Sequence, residues 1–585
     1  MRFVQWIPVL ACASLAACSG GGGGTGSAGT TPATNGGSGN GGAAAPANTT
    51  ITNLVASQTF VSTAADTQTI INLQPAVIMS ATGAQAPIQV RYDAASKSYT
   101  VESDGRSQTF APGDIQPNTL AGETIYKKPG NGVTEYLTLV TTPYSGTTAN
   151  RYVGLGYWQR SSTASGQQSL RFDSFVYGLL TADNAVPRTG TASYVTDTLG
   201  FVTTPGNAPR GFTGQGGFDV DLALGIFAAK TSVFEYDLST PESRTGGGIE
   251  YIAGGKLSST NGFAGNFTYG GRDTRVSGTI QGQFFGPGGE ELGAIFSGTS
   301  AAGAVVSGAL TGVRGGSARS NLSLLNLTQD QLFGVRESSY TLQNMFGGGS
   351  YASTYQGGAQ MTLGVDGSVA FTGAISTVPY GKFTFVNRTD AGNFYTYSGD
   401  VNGAPGKLSL YKPGSANGEL QLTYASFGIW EGGFTPGYGP FAGKAYRAYG
   451  YDTPLDLLSR RTGSGTYSGV VYGTGIRGGA NTFDVGGTSD LTVDFSAQRF
   501  SGALALTDKA AGGASIGSWT FADALSRGQL VTTALKNGAA SEGSLMAALF
   551  GPDGEEVAGS FLIQKNTQNL QNSLVIVGAT VGKRR

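Results

Sequence analysis

Apolar side chains recur at every second position in many short segments of the chain. In 220–224 and 491–495, Val, Leu and Phe alternate with smaller or polar residues. Period two is typical of half-buried antiparallel strands. Segments 275–285 and 572–581 carry Gly inside strand-like patterns, which permits the bends of a small barrel. The pattern predicts an all-β protein, with one short helix at 322–334.

Two nearly identical turn units lie far apart in the chain. Phe-Gly-Pro-Gly-Gly-Glu-Glu-Leu occupies 285–292, and Phe-Gly-Pro-Asp-Gly-Glu-Glu-Val occupies 550–557. Gly supplies unusual backbone dihedrals and Pro fixes its own φ, so each unit predicts a turn between strands. Five further pairs of short motifs follow the same order at similar separations. They begin at Tyr152 and Tyr424, Tyr177 and Tyr449, Gly190 and Gly463, Val220 and Val493, and Gly308 and Gly578.

This self-similarity predicts a duplicated body of two tandem lobes. Within each lobe the first half is irregular, with strands expected at 133–141 and 407–411, and the second half alternates regularly. Each lobe is therefore expected to hold a mixed-β subdomain followed by a closed barrel. Closure suits an exposed protein because it leaves no unpaired edge strand.

The first 50 residues predict export and anchoring. Arg2 precedes a short apolar stretch, and Leu15-Ala16-Ala17-Cys18 resembles a bacterial lipobox, in which lipid is attached to the Cys after cleavage. The alternative is an ordinary secretory signal. Residues 19–50 carry no charge and are rich in Gly, Ser and Thr, which predicts a flexible tether. Ser19 favours the outer membrane over the inner membrane.

The composition excludes several kinds of chemistry. The chain has no His, and its two Cys are Cys12, in the signal, and Cys18, so the mature protein has no imidazole base and no free thiol. Its 36 basic and 37 acidic residues give a net charge of −1, which argues against nucleic-acid binding. No spacing of residues indicates a metal site, a catalytic group or a cofactor other than the lipid on Cys18.

The paired turn units, the Gly-x-(Ala/Gly)-x-Tyr motifs at 190 and 463 and the Gly-Ala-x-x-Gly-x-Arg motifs at 308 and 578 resemble the transferrin-binding protein B family. The resemblance implies two lobes, each a handle subdomain followed by an eight-stranded barrel. One departure is Thr196, where the family pattern has Gly. The implied division is a signal at 1–17, a tether at 18–50, handles at 51–188 and 323–462, and barrels at 189–314 and 463–585.

The resemblance also implies a role. Members are outer-membrane lipoproteins facing the cell exterior, and they pass a bound ligand to a TonB-dependent transporter. The expected partners are the outer membrane, such a transporter and surface lipoprotein export machinery, with an iron-carrier protein, haem or another solute as ligand. The main alternative is a structural or adhesive surface lipoprotein. A hydrolase using carboxylates and a membrane pore are further alternatives, and a pore requires a polar barrel interior.

Two segments are candidate ligand-contact regions. Residues 201–218 are expected to form a long loop, and loops of this length are often functional. Residues 438–451 are the densest aromatic stretch, and interfaces are enriched in Tyr and Arg. The candidate ligand-binding residues are Phe201, Arg210, Phe212, Tyr438, Phe441, Tyr446 and Arg447. In the pairs Glu290-Glu291 and Glu555-Glu556, one carboxylate is expected to bind the turn and the other to face solvent.

Overall fold

The structure is a computed structural model that describes residues 47–585 apart from eleven short segments. The segments are 119, 145–148, 239–243, 316–319, 345–349, 373–381, 402–403, 435–440, 459–460, 527 and 567–571. The predicted signal, Cys18, residues 18–46 of the predicted tether and Tyr438 therefore lie outside the described residues. In the described part, 32 strands form four eight-stranded units.

The first unit, the N-handle, is an open antiparallel sheet in the order β4-β3-β2-β1-β8-β7-β6-β5. Its strands are β1 (Gln58–Leu73), β2 (Ala76–Asp93), β3 (Ser98–Ser103), β4 (Arg106–Phe110), β5 (Glu123–Pro129), β6 (Thr134–Val140), β7 (Val153–Ala164) and β8 (Gln167–Gly178). The sheet curls around an apolar core that contains Trp158 and Phe175.

The second unit, the N-barrel, is closed by pairing of β9 with β16. Its strands are β9 (Thr191–Thr203), β10 (Arg210–Asp221), β11 (Ile226–Asp237), β12 (Arg244–Leu257), β13 (Phe263–Gly270), β14 (Arg275–Phe285), β15 (Glu291–Thr299) and β16 (Val305–Arg314). Packed rings fill its interior, among them Phe212, Tyr251 and Phe296.

The third unit, the C-handle, is also a closed barrel. Its strands are β17 (Gln331–Asn344), β18 (Ser350–Leu363), β19 (Val369–Thr372), β20 (Lys382–Ala391), β21 (Phe394–Val401), β22 (Ala404–Tyr411), β23 (Ala425–Phe434) and β24 (Phe441–Gly450). It has the same circular strand order as the N-handle. The two differ where β20 pairs with β21, because the corresponding strands β4 and β5 are not paired.

The fourth unit, the C-barrel, is closed by pairing of β25 with β32. Its strands are β25 (Ser464–Arg477), β26 (Asn481–Asp494), β27 (Arg499–Asp508), β28 (Ala514–Ala524), β29 (Gln529–Asn537), β30 (Ala540–Phe550), β31 (Glu556–Lys565) and β32 (Leu574–Arg584). The described residues contain one α-helix, α1 (Leu455–Leu458), and three single 3₁₀ turns, Pro112–Asp114, Asp183–Ala185 and Gly414–Ala416.

The predicted fold class is confirmed: the protein is all-β, with two tandem lobes that each contain a handle and a closed eight-stranded barrel. The predicted handle–barrel divisions fall between β8 and β9 and between β24 and β25. The helix expected at 322–334 is wrong, because these residues form an irregular segment that leads into β17. The last four residues of that range belong to β17, which is paired on both sides.

Alternate residues of each barrel strand point inward, and these residues are mostly apolar. On β10, Phe212, Phe218 and Val220 lie in the core while Gln215 is exposed. This arrangement is the reverse of the polar interior that the pore hypothesis requires. Among the residues described, no helix is long and apolar enough to span a membrane.

Candidate functional site

The two Phe-Gly-Pro turns join each barrel to its own handle. In the N-lobe, the Glu291 carboxylate accepts hydrogen bonds from the backbone N–H groups of Arg151, Tyr152 and Val153 at 2.7, 2.8 and 2.9 Å. In the C-lobe, Glu556 accepts the same three bonds from 423–425, again at 2.7, 2.8 and 2.9 Å. One carboxylate in each lobe therefore fixes the first residues of a handle strand to the barrel.

Two hydroxyl groups complete this handle–barrel junction in each lobe. The hydroxyls of Thr181 and Thr453 donate to the carbonyls of the first turn glycines at 2.6 and 2.7 Å. The hydroxyls of Tyr194 and Tyr467 donate to the carbonyls of the last turn glycines, also at 2.6 and 2.7 Å. The motif pairs that revealed the duplication are therefore largely the residues that build this junction.

The neighbouring carboxylates Glu290 and Glu555 bind their own turns. Glu290 accepts the N–H of Gly288 at 2.9 Å, and Glu555 accepts the N–H two residues earlier at 2.8 Å. This half of the expectation is met. The other half is wrong, because Glu291 and Glu556 are buried in the junction, 3% and 1% exposed. Three backbone donors compensate for the cost of removing each carboxylate from water.

Burial raises the pKa of Glu556 to about 7, against the opposing effect of its three backbone hydrogen bonds. The shift means that the C-lobe junction changes its protonation near neutral pH. Neither Glu pair forms a catalytic pair of facing carboxylates, because the two members of each pair have separate structural partners. Among the residues described, no group of three acidic or thiol side chains is placed to hold a metal ion.

The expected long loop at 201–218 is wrong. Phe201 belongs to β9 and Arg210 begins β10, so the segment is a hairpin with a short turn. Phe212 is fully buried in the N-barrel core, and Phe201 packs edge-on against Phe172 of the N-handle with ring centroids 3.8 Å apart. The Gly and Pro residues that suggested a loop serve the turn and the close approach of strands instead.

Arg210 belongs to a buried polar cluster at one end of the N-barrel. Its guanidinium donates to Glu235 at 2.8 Å and also to Asp273. The Tyr269 hydroxyl donates to the second oxygen of Glu235 at 2.6 Å. Arg210 is only 9% exposed, so its side chain is engaged in holding the barrel end together.

The four C-lobe candidates separate into different places. Tyr438 lies outside the described residues, and Phe441 begins β24. Tyr446 lies at the contact between C-handle and C-barrel, where its hydroxyl and that of Thr474 are 2.7 Å apart. Arg447 points the other way, into the interior of the C-handle. The structure thus does not bring these residues together in one site.

Arg447 forms a buried ion pair with Glu337. The guanidinium Nε donates to the carboxylate at 2.8 Å, and its carbon lies 4.1 Å from the ring centroid of Phe371. In the N-handle, the corresponding pair of facing residues on β1 and β8 is Ala64 and Phe175. The two lobes therefore hold an apolar pair and a charged pair at corresponding positions.

A cleft of about 280 Å³ lies between the C-handle and the C-barrel. Strands of both units line it, and Tyr446 is part of its wall. Its other lining residues are Ala391, Phe394, Thr396, Lys407, Ser409, Ile429, Glu431, Lys444, Tyr472, Gly473, Asp484, Val485 and Lys509. We refer to it as the C-lobe cleft. It brings three ammonium groups and two carboxylates together beside aromatic rings.

The same place in the N-lobe is packed with rings. Strand pairing aligns Lys444 with Phe172 and Thr474 with Phe201, and the rings of Phe172 and Phe201 are in direct contact. Phe172 also stacks on Tyr157, with centroids 5.4 Å apart. The contact that the N-lobe fills with aromatic rings is a cleft lined by lysines in the C-lobe.

Ion pairs order part of the C-lobe cleft. The Lys444 ammonium lies 3.0 Å from Glu431 and 3.7 Å from Asp484, which links the handle to the barrel. Although burial lowers the pKa of Lys444, these carboxylates raise it more, so the net shift is upward. The Lys509 ammonium lies 4.1 Å from the ring centroid of Tyr472. Burial raises the pKa of Tyr472, so its hydroxyl stays protonated.

Sequence reasoning missed the lysines of this cleft. Lys407, Lys444 and Lys509 lie on three different segments, and nothing in their spacing marks them as a set. The available signal was the duplication itself, since positions that hold aromatic and apolar residues in the first lobe hold lysine and threonine in the second. That signal needs strand register, which the sequence motifs alone do not supply.

Comparisons with known proteins give structural matches only. No protein-family model and no curated protein matches the chain. A double mutant of transferrin-binding protein B from Haemophilus parasuis Hp5 is 14% identical, with a TM-score of 0.29, and the match covers 90% of this chain and 95% of that one. The isotype 1 protein from serogroup B Neisseria meningitidis is 14% identical, with a TM-score of 0.23, covering 76% and 88%.

A third match is the structure of intact Ap-TbpB with its N and C lobes. It is 13% identical, with a TM-score of 0.26, and the match covers 74% of this chain and 85% of that one. All three structures are of the family that the sequence motifs resemble.

Proposed function

We propose that this chain is a lipid-anchored binding protein on the outer surface of a Gram-negative outer membrane, and that it passes its ligand to a TonB-dependent transporter. The C-lobe cleft is the observation that carries this proposal. Binding sites occur preferentially at interfaces between structural units, and this cleft combines aromatic walls with a few charged groups.

The junctions support a binding role because they make each lobe a firm scaffold. The C-lobe cleft is walled by strands of two units, so its shape depends on how firmly handle and barrel are held together. Glu556 fixes the start of β23, and β23 also carries Ile429 and Glu431 of the cleft wall. A ligand would thus meet groups that are already in place.

The N-terminal sequence supports the anchoring. Leu15-Ala16-Ala17-Cys18 fits a lipobox, and 28 uncharged residues, 19–46, separate it from the described body. A chain of that length spans roughly 30 Å on average. Export to the cell exterior would use surface lipoprotein export machinery, as the family resemblance implies.

The anchoring is tested by mass spectrometry of the mature protein and by protease treatment of intact cells. We expect a lipid-modified N-terminal Cys18 and cleavage of the body on intact cells. Cys18→Ala should abolish both lipidation and outer-membrane fractionation. An unmodified N-terminus would contradict the anchor, and a protease-resistant body on intact cells would contradict the surface location.

The binding and transport role is tested by photo-crosslinking. A photoreactive residue at Ser409, which lines the cleft and is not one of its lysines, should capture a ligand or a transporter in intact cells, whereas one at Lys536, which does not line the cleft, should not. Deletion of the gene should slow growth when that ligand is the limiting nutrient. A deletion that changes cell attachment but not nutrient-limited growth would favour the structural or adhesive alternative.

A further inference from the structure

We propose that the C-lobe cleft binds a small anionic solute, whose carboxylate or phosphate group is held by the ammonium groups of Lys407 and Lys509. This inference rests on the proposed function and names the chemistry of its ligand. Three kinds of observation carry it: the balance of charges in the cleft, the aromatic wall beside them and the contrast with the other lobe.

The three lysines of the cleft differ in whether they form ion pairs. Lys444 is shared by both carboxylates, Glu431 and Asp484. Within the described residues, neither Lys407 nor Lys509 has a carboxylate within 4 Å. Two ammonium groups are therefore available to an anion at the same cavity, and an ammonium binds such a group as a compact point charge.

The wall beside these lysines is a set of fixed aromatic rings. Phe394 meets Tyr472 edge-on with centroids 5.4 Å apart, and the Tyr472 hydroxyl donates to Glu419 at 2.7 Å. The ring of Tyr472 is therefore held in place under Lys509. A ligand with an apolar or aromatic part next to its anionic group would contact both kinds of surface.

The N-lobe shows that the fold does not require this lining. Strand pairing aligns Lys407 with Tyr136 and Tyr472 with Leu199, and both N-lobe residues are buried. In the N-lobe, Leu199 belongs to the apolar cluster that packs handle on barrel. Lysines at a contact that packs without them indicate a use other than packing.

The size of the cleft indicates a small ligand. A volume of about 280 Å³ lies just below the range of about 300–1,000 Å³ that is usual for sites that bind small molecules. The acidic side chain of a large protein partner could reach the same lysines but would fill only part of the cleft, whereas a solute of about 280 Å³ would fill it. The proposal is therefore a free solute.

The test uses the full-length protein in detergent and calorimetric titration with phenyl phosphate, benzoate and neutral phenol. We expect at least one anion to bind with a dissociation constant of about 1 mM or tighter at low salt. Binding should weaken at least tenfold in high salt, because the lysines are solvent-accessible. Comparison of phenyl phosphate with benzoate tells which anionic group is preferred.

Variants assign the binding to the cleft. Lys407→Ala and Lys509→Ala should each weaken anion binding about tenfold, whereas Lys536→Ala, a lysine outside the cleft, should not. A second variant, Lys444→Phe with Thr474→Phe, introduces the N-lobe rings and should abolish binding while the protein stays folded. Equal binding of phenol, or binding unchanged in the lysine variants, would overturn the proposal.

The outcomes separate this inference from the proposed function. If photo-crosslinking captures a transporter but neither anion binds at 10 mM, the anionic-solute inference fails alone. If the anions bind in the cleft but the protein is neither lipidated nor exposed on the cell, the proposed function fails alone.

Discussion

Glu291 and Glu556 perform the same task in the two lobes, each accepting three consecutive backbone N–H groups of its own handle. Neither carboxylate touches the cleft or any predicted contact residue. Their effect on function is therefore indirect: they set the position of handle against barrel. The duplication preserved this relationship while the surfaces around it diverged.

Removal of either carboxylate should destabilise its lobe. Glu556→Ala leaves three buried backbone N–H groups without an acceptor, and each unsatisfied donor is costly. We expect the free energy of unfolding to fall by roughly 3–5 kcal/mol. Glu291→Ala should have a similar effect in the N-lobe. Chemical denaturation followed by Trp fluorescence measures both changes.

The control is the neighbouring carboxylate. Glu290 is exposed and accepts one turn N–H. Glu290→Ala should therefore cost about 1 kcal/mol or less. Equal losses for Glu290→Ala and Glu291→Ala would show that the junction bonds do not stabilise the lobe as described.

The stability of the C-lobe should depend on pH through Glu556. Its pKa in the folded protein, about 7, lies above its ordinary value of 4.5. The folded state therefore holds the proton more tightly than the unfolded state. The resulting stabilisation is complete below pH 4.5 and is lost as the pH rises through 7. A shift of this size corresponds to about 3 kcal/mol.

The measurement is the difference in free energy of unfolding between the wild type and Glu556→Gln from pH 4.5 to 8. That difference should fall as the pH rises, because the variant has no titrating group there. Thr453→Ala removes a hydrogen bond of the same junction without removing a charge. Its difference from the wild type should stay constant, and a parallel fall would contradict the assignment to Glu556.

The sequence motifs identified the fold because the turn unit of each junction is local in sequence. Phe-Gly-Pro-x-Gly-Glu-Glu combines a turn that needs Gly with a Glu that binds it, and both copies are easily seen. The partners of Glu291 lie about 140 residues away. The motif showed that two turns are alike, but not that Glu291 is buried, because burial depends on a strand distant in sequence.

The contact residues were harder to predict for a related reason. Phe201 and Phe212 lie in a segment whose Gly and Pro content is typical of a loop. Backbone pairing of Phe201 with β16 and of Phe212 with β11 nevertheless makes them strand residues. Tyr446 and Arg447 are adjacent in sequence and point to opposite sides of β24. Period two assigns such neighbours to different faces, but only the closed sheet shows which face meets the barrel.

Two buried tyrosine hydroxyls should contribute similar amounts of stability. Tyr194→Phe and Tyr467→Phe each leave a glycine carbonyl of the turn without its donor. We expect a loss of about 1–2 kcal/mol for each variant. Tyr251→Phe in the N-barrel is the matched control, because its buried hydroxyl has no hydrogen-bond partner in the described structure.

Thermal or chemical denaturation of the three variants gives the comparison. Tyr251→Phe should be neutral or stabilising, since it removes a buried polar group that forms no bond. A loss in Tyr251→Phe as large as in Tyr194→Phe would mean that ring packing, and not the hydroxyl, accounts for the effect.

The buried ion pair of the C-handle can be exchanged for the apolar pair that the N-handle uses. Arg447→Phe alone leaves Glu337 buried without its cation, and Glu337→Ala alone leaves the Arg447 guanidinium buried without its carboxylate. Each single change should cost roughly 3–5 kcal/mol. The double variant reproduces Phe175 facing Ala64 and should lie within about 1 kcal/mol of the wild type or above it. Denaturant unfolding of all four proteins gives the coupling energy directly. Additive losses in the double variant would mean that the interior of the C-handle is packed around the charges and does not accept the apolar pair of the N-handle.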